Sequence, residues 1–371
     1  MRYLIAPDKF KGTLSAQEVA ETIASAIRDR DARAAIDLLP IADGGEGTAR
    51  LLAAQLSAER NTVGTLDPLG RPIDAEFFVR GHEAILDMSA ASGLWRVNPN
   101  ERDPLRSSTY GTGIIIWHLV ENGIERIFIG LGGSATVDAG LGMGAALGYR
   151  FYGTGDSRIE PLPVAFSQIQ KVEPPLMTRM PEVIGLADVQ TVLTGPRGAT
   201  YTFGPQKGLS PVEVEALDRS LASLVVRLEQ DLGTNFSNVQ SAGAAGGFGY
   251  GILTFLRGKL VSGFDMIAEK LELRKRIRAA DVVITGEGKL DLQSLQGKGP
   301  YGVAVLAREA TKPVWAIAGM IENRNLVERH FEKLISLADE QVTLEEAMGN
   351  PVELLRRRTM QLCGNISAEG A

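Results

Sequence analysis

The chain has 371 residues, 44% of them hydrophobic and 23% charged, and a net charge of -6. That length supports roughly two domains with ample cores, and an acidic balance without a basic block argues against nucleic acid as a partner. A single cysteine, Cys363, excludes an internal disulfide and a thiolate metal cluster, and His82, His118 and His330 share no ligand-like spacing.

Arg2–Ala6 reads as a short apolar strand that stops at Asp8 and Lys9, too early for a signal peptide. No run approaches the ~20 apolar residues that span a bilayer. The expectation is a cytoplasmic protein with no membrane partner. Ser15 followed three residues on by Glu18 is a capping box, and it opens an amphipathic helix over Ala16–Arg28. Ala35–Leu39 is the next strand, ADGGEG (42–47) a loop, and Thr48–Gln55 a helix. This βαβα rhythm implies parallel strands with right-handed crossovers.

The texture then changes. Thr62–Thr65 and the turn Asp67-Pro68-Leu69-Gly70 lead into strands at Ala75–Val79 and Ala84–Met88 that read as antiparallel. A helix at Ile114–Val120 and a strand at Arg126–Gly130 follow, then GLGGSATVDAGLGMG (130–144), with a helix from about Asp138. Pro161–Pro175 reads as a surface excursion, FGPQKG (203–208) as a turn carrying Lys207, and GAAGGFGYG (243–251) as a glycine cluster opening a helix. The α/β rhythm returns with a strand at Asp281–Thr285 and the loop GEGKLDLQSLQGKGP. A helix at Tyr301–Ala310, a strand at Val314–Ala318, a helix at Leu326–Phe331, a strand at Leu334–Ala338 and a closing helix at about Leu344–Arg357 complete the chain. The expected architecture is a discontinuous parallel α/β domain from residues 1–64 and 264–371, with an inserted α+β domain at 65–263.

Ligands of open parallel sheets bind beyond the carboxyl ends of the strands. Asp8, Lys9 and Lys11 follow the first strand, Asp43 and Glu46 the second, and Glu287, Lys289 and Asp291 the strand at 281–285. Asp8 and Asp43 also suit helix caps or turns, but three glycine loops with charges at one sheet edge suit an anionic ligand better. Gly130, Gly132 and Gly133 ahead of Ser134 form a second candidate, where backbone N–H groups and a hydroxyl meet phosphate. The same segment satisfies G-x-G-x-x-A through Gly130, Gly132 and Ala135, so a nicotinamide-dependent oxidoreductase acting on a small hydroxy acid stands as the alternative function. The ribose-binding acidic residue of that pattern is missing. Gly297-Lys298 is followed by Gly299, so no Walker A motif is present.

With these segments in view, the chain resembles the bacterial type 1 glycerate kinase family. APDKFKGTLSA (6–16), PIADGGEGT (40–48), STYGTG (108–113), GLGGSATVDAGLGMGAALG (130–148), FGPQKG, GAAGGFGYG and DVVITGEGKLDLQSLQGKGPYGVA (281–304) carry the likeness in the family's order. The resemblance implies ATP- and Mg²⁺-dependent phosphorylation of D-glycerate, described for the family as giving 2-phosphoglycerate. It also implies a Rossmann-like domain with an inserted domain and an active site in the cleft between them. It leaves room for a homo-oligomer. One departure stands out: Thr191 and Val192 occupy positions where the family commonly has Asn and Pro, while Asp188 is retained.

Phosphoryl transfer to a hydroxyl needs cations for the phosphates, a carboxylate-held Mg²⁺ and a base. Asp43 is the candidate base, because two following glycines leave it uncrowded. Lys9, Lys11 and Lys207 are candidate charge neutralisers, Asp188 a further acidic candidate, and Glu287 and Asp291 candidate Mg²⁺ ligands. Gly132, Gly133 and Ser134 would cradle phosphate, with Lys298 closing on it.

Overall fold

The computed structural model describes residues 1–42, 44–176, 179–292, 294 and 299–364. Asp43 and Lys298 lie outside the described residues.

The chain opens with β1 (Arg2–Ile5), α1 (Ala16–Arg30) and β2 (Ala35–Leu38). Its middle holds α2 (Thr48–Leu56), β3 (Glu59–Leu66), β4 (Pro72–Arg80), β5 (Glu83–Asp87), α3 (Ser89–Ser92) and α4 (Tyr110–Glu121). These are followed by β6 (Arg126–Gly130), α5 (Leu141–Ala146), β7 (Arg150–Tyr152), β8 (Lys171–Glu173) and β9 (Glu182–Leu186). Next come α6 (Ala199–Lys207), α7 (Pro211–Leu232), α8 (Ala244–Phe255), β10 (Lys259–Val261), α9 (Gly263–Lys270) and α10 (Leu273–Ala279). The last stretch is β11 (Val282–Leu290), α11 (Gly299–Glu309), β12 (Val314–Ile321), α12 (Arg324–Val327), β13 (Lys333–Ser336), α13 (Leu344–Gly349) and α14 (Pro351–Gly364).

Two compact units result, one from Met1–Asp43 with Phe264–Ala371 and one from Gly44–Gly263. The first is built on a five-stranded parallel sheet in the order β13-β12-β11-β1-β2. Its inner strands are apolar where both faces are covered, as at Leu4, Ile5, Val283, Ile284, Ala316 and Ile317. Tyr3, Ile5, Val282, Ile284, Trp315 and Ile317 pack in one core with Val19, Ile23 and Ile27 of α1 and Leu355 of α14. α1 starts where the sequence requires: the Ser15 side chain accepts from Glu18 N, and Glu18 reaches back to the Ser15 backbone. Such a cap contributes about 1 kcal/mol.

The second unit carries a mixed six-stranded sheet, β10-β9-β6-β5-β4-β3. β10, β9, β6 and β5 run parallel, and β4 and β3 are added antiparallel. Residues 44–64, grouped in the sequence expectation with the chain ends, here pack with the middle of the chain, α2 lying on β4 and β5. Among the described residues no helix is long and apolar enough to cross a membrane.

Several local expectations change. β11 does not stop at Thr285 but runs through GEGKL to Leu290, because β12 continues to pair with it as far as Ile321. FGPQKG is no turn: it is the second half of α6, with Pro205 inside the helix and Gly208 ending it at φ 116°. The helix expected from Asp138 starts at Leu141. Part of Pro161–Pro175 enters the core, with Phe166, Ile169 and Val172 buried. The closing helix is two, α13 and α14, separated at Asn350. The 22-residue α7, absent from the expected elements, carries a full signal: Ser210 as N-cap, Pro211 at the first turn and Glu213 completing the box.

Candidate active site

In the parallel sheet of the first unit, the chain leaves β1 toward β2 on one side, while β11 leads to β12 and β13 on the other. The carboxyl ends of β1 and β11 are therefore the topological switch point, the preferred ligand position of such sheets. Asp8 N donates to Gly286 O at 2.7 Å, and Gly288 N to Lys9 O at 3.3 Å. These bonds set Asp8 beside Glu287. Asp8 is only 8% exposed, and its Oδ1 accepts from Lys9 N at 2.6 Å. Gly299, first residue of α11, has φ +33°, and a Cβ there would lie 3.3 Å from Asp8 Oδ2. The Asp8 carboxylate thus sits close to a helix start, whose backbone favours negative charge.

Farther along the same edge, Lys289 Nζ lies 2.9 Å from Glu322 Oε1 and 3.3 Å from Asp291 Oδ2. The hydrogen bond to Glu322, then that to Asp291, holds the Lys289 ammonium above its ordinary pKa. Asp291 N donates to Ser294 Oγ and Ser294 N to Asp291 Oδ1, each at 3.2 Å. Lys11 is exposed and Lys9 half-buried. Among the described residues no group of three or more His, Cys, Asp or Glu is gathered to hold a metal. Asp8, Glu287 and Asp291 are nonetheless hard oxygen donors on one edge, which suits Mg²⁺, an ion usually held by one or two carboxylates with waters and phosphates.

The second unit builds its edge differently. Residues 44–47 lie across the ends of β6 and β9: Leu131 N donates to Gly44 O at 3.0 Å, and a Cβ on Gly44 would lie 2.8 Å from Leu186 O. A Cβ on Gly132 would fall 2.4 Å from Gly45 Cα, and one on Gly133, at φ +74°, 2.7 Å from Glu46 Oε2. These glycines let one loop approach another, which the motif alone does not reveal. Asp87, at the end of β5, was not among the sequence candidates. Its carboxylate accepts from Gly47 N at 2.8 Å and Ala49 N at 3.0 Å, capping α2 from another strand. The signal was available in the sequence, since EAILD ends an apolar strand in an acid as the other candidate loops do.

Behind this edge sits Lys207, 2% exposed, whose Nζ donates to Ser134 Oγ at 2.7 Å and to Thr136 O at 2.6 Å. Burial pushes its pKa down to about 7, opposed by the field of Asp138. Asp138 is itself fully buried. It accepts from Thr109 N and Oγ1, both at 2.7 Å, and from Gly140 N and Gly142 N at 3.1 and 3.2 Å. Burial raises its pKa, and the four bonds act against that rise. Asp138 thereby pins STYGTG to the loop beyond β6. Just inside the start of α8, Ala245, Gly246 and Gly247 are all in the left-handed region, and a Cβ on Gly246 would lie 1.9 Å from Thr136 O.

Asp188, just past β9, accepts from Ser262 Oγ at 3.0 Å. At the departing positions the backbone carries the contacts: Gly243 N donates to Thr191 O at 2.9 Å, and a Cβ on Gly243 would lie 2.0 Å from Val192 O. The structure thus brings Asp8, Lys9, Glu287 and Asp291 to one edge of the first unit. It groups Gly132, Gly133, Ser134 and Lys207 at one edge of the second.

Glycine-loop carboxylates and lysines at the ends of parallel strands define the chain as a phosphate-handling α/β enzyme. The profile of the glycerate kinase family matches residues 3–367. A Bacillus subtilis protein named glycerate kinase is 39% identical over 99% of this chain and 98% of its own length. An Escherichia coli protein named glycerate 2-kinase is 36% identical, again over 99% and 98%. A crystal structure from Salmonella typhimurium, assigned provisionally as glycerate kinase 2, superposes with a TM-score of 0.84 at 35% identity, covering 99% of this chain and 98% of that one. The chain belongs to the glycerate kinase family. Its activity is that of a glycerate kinase.

Proposed function

We propose that the enzyme transfers the γ-phosphoryl group of ATP to the 2-hydroxyl of D-glycerate, with Mg²⁺ as cofactor. The observation that carries the regiochemistry is the full-length similarity to the Escherichia coli protein named glycerate 2-kinase. In the same reading the first unit is a Rossmann-like domain and the second an inserted α+β domain, which the strand orders support.

The reaction forms a bond from the substrate oxygen to the γ-phosphorus, releases ADP and sends the hydroxyl proton to a base. Asp43 takes that proton. Lys9 and Lys11 neutralise phosphate or the substrate carboxylate, and Lys298 does the same. Glu287 and Asp291 would hold Mg²⁺, which when bound offsets charge on the phosphate oxygens. Their common position at the β1/β11 edge supports this. Backbone N–H groups at Gly132 and Gly133 and the Ser134 hydroxyl bind anionic oxygen, with Lys207 supporting Ser134 from behind. Asp188 supplies a further acidic group for orienting the substrate hydroxyl.

ATP consumption with D-glycerate and Mg²⁺, with the product resolved by NMR, tests this reading. The expected product is 2-phosphoglycerate. Formation of 3-phosphoglycerate would overturn the regiochemistry, and turnover undiminished in chelator would remove the metal.

A further inference from the structure

We propose that Lys207 is a buried proton switch behind Ser134: a neutral amine in the free enzyme that takes up a proton when an anionic oxygen of ATP or D-glycerate binds the Ser134 hydroxyl. The inference rests on the reading of residues 130–136 as an anion-binding loop.

The geometry favours the neutral form before binding. Nζ meets two acceptors, Ser134 Oγ and Thr136 O. An amine has two N–H donors to match them, whereas an ammonium has three. Among the described residues no carboxylate lies within ion-pair distance of Nζ. The charged group whose field reaches it is Asp138, and that carboxylate is engaged by Thr109, Gly140 and Gly142. On α7, which packs against α6, the buried Asp218 accepts from Gly195 N. On α8 no Asp, Glu, Lys, Arg or His occurs. The Phe203 ring, 5.9 Å away, adds a weak attraction for a cation. A buried ammonium with so little compensation is costly, and the fall of its pKa to about 7 agrees.

The same bonds explain how a ligand would reverse this. Because Ser134 Oγ accepts from Lys207, the Ser134 hydrogen is left to donate elsewhere. A phosphate or carboxylate oxygen that accepts it brings negative charge to within one hydroxyl of Nζ. That charge favours the ammonium, which in turn makes Ser134 a stronger donor. Lys207 is thus a positioning residue, acting on the ligand through Ser134. Linkage then fixes the pH behaviour: ligand affinity falls as pH rises above about 7, by at most about tenfold per pH unit.

The test is calorimetric titration of the full chain with MgATP and, separately, with D-glycerate, in buffers of different ionisation enthalpy at pH 6 and pH 8. Neither ligand itself releases or takes up much proton in this range. The expected result is uptake approaching one proton at pH 8 and close to none at pH 6, seen with whichever ligand meets Ser134. Both S134A and K207M should bind that ligand without uptake at pH 8. Binding by wild-type enzyme with no buffer dependence at pH 8 would overturn the switch. So would uptake that survives in K207M. These wild-type titrations decide the matter even if a variant fails to fold. Absence of binding by both ligands would instead sink the reading of the loop on which the switch rests, and the switch with it.

Discussion

The two sheet edges that carry the candidate residues solve the problem of holding an anion by different means. The edge of the first unit is a set of ionisable side chains, Asp8, Glu287, Lys289 and Asp291, some of them exposed and balanced against one another, as Lys289 is by Glu322. The edge of the second unit is mostly backbone: Gly44, Gly132, Gly133 and Gly246 sit where added carbon would collide, and one buried lysine stands behind them. Side-chain charge can be altered one group at a time with local consequences. Close backbone approach cannot, because each contact is shared by two loops.

That contrast sets the expected order of effects. The largest is on chemistry: D43N should lower kcat by at least ~100-fold, the usual worth of a general base. Near-normal kcat in folded D43N would remove Asp43 from that role. Next is G246A, which forces a side chain to φ +70° against Thr136 O. Overpacking and left-handed strain together predict a loss of about 2–4 kcal/mol in denaturant unfolding. An unfolding curve matching wild type would show that the contact relaxes freely.

The third effect concerns Lys207. Its folded pKa, about 7, lies below the value of an unfolded lysine, 10.5. The unfolded chain therefore binds more protons between those values, so this residue's contribution to stability rises with pH across that window. Measured from pH 7 to pH 10, wild type should gain stability relative to K207M. A flat difference would mean that the lysine keeps its proton. The smallest effect belongs to the exposed pairs: K289M should leave Tm unchanged, because exposed ion pairs are weak. A clear drop in Tm would show that the first unit's edge is as interlocked as the second's.

Much of this was legible in the sequence where local rules act alone. The Ser15 capping box, the parallel strands at each end of the chain and the acids and lysines at strand ends all follow from spacing and residue type. What was hidden depends on neighbours distant in the chain. GEGKL looks like a loop, but β12 keeps it in register as a strand. Pro205 argues for a turn, but tertiary packing of α6 against α7 and α8 retains the helix. Gly132 and Gly133 read as phosphate glycines, and only the structure reveals residues 45–46 against them. α7 was legible and passed over, since its capping box matches that of α1.

The place of β1 in its sheet has a consequence for how the chain is made. β1 lies between β2 and β11, and Ile5 is in register with Ile284. A ribosome releases the first strand long before the partner that completes its sheet exists. The middle unit, whose strands all lie within one continuous segment, can finish folding in that interval. Residues 1–42 must wait with the apolar faces of β1 and α1 uncovered until β11 arrives. Folding of the first unit is then governed by closure of a very long loop, a slow step by contact order. β1 and α1 thus find their place only after a strand made much later in the chain has appeared.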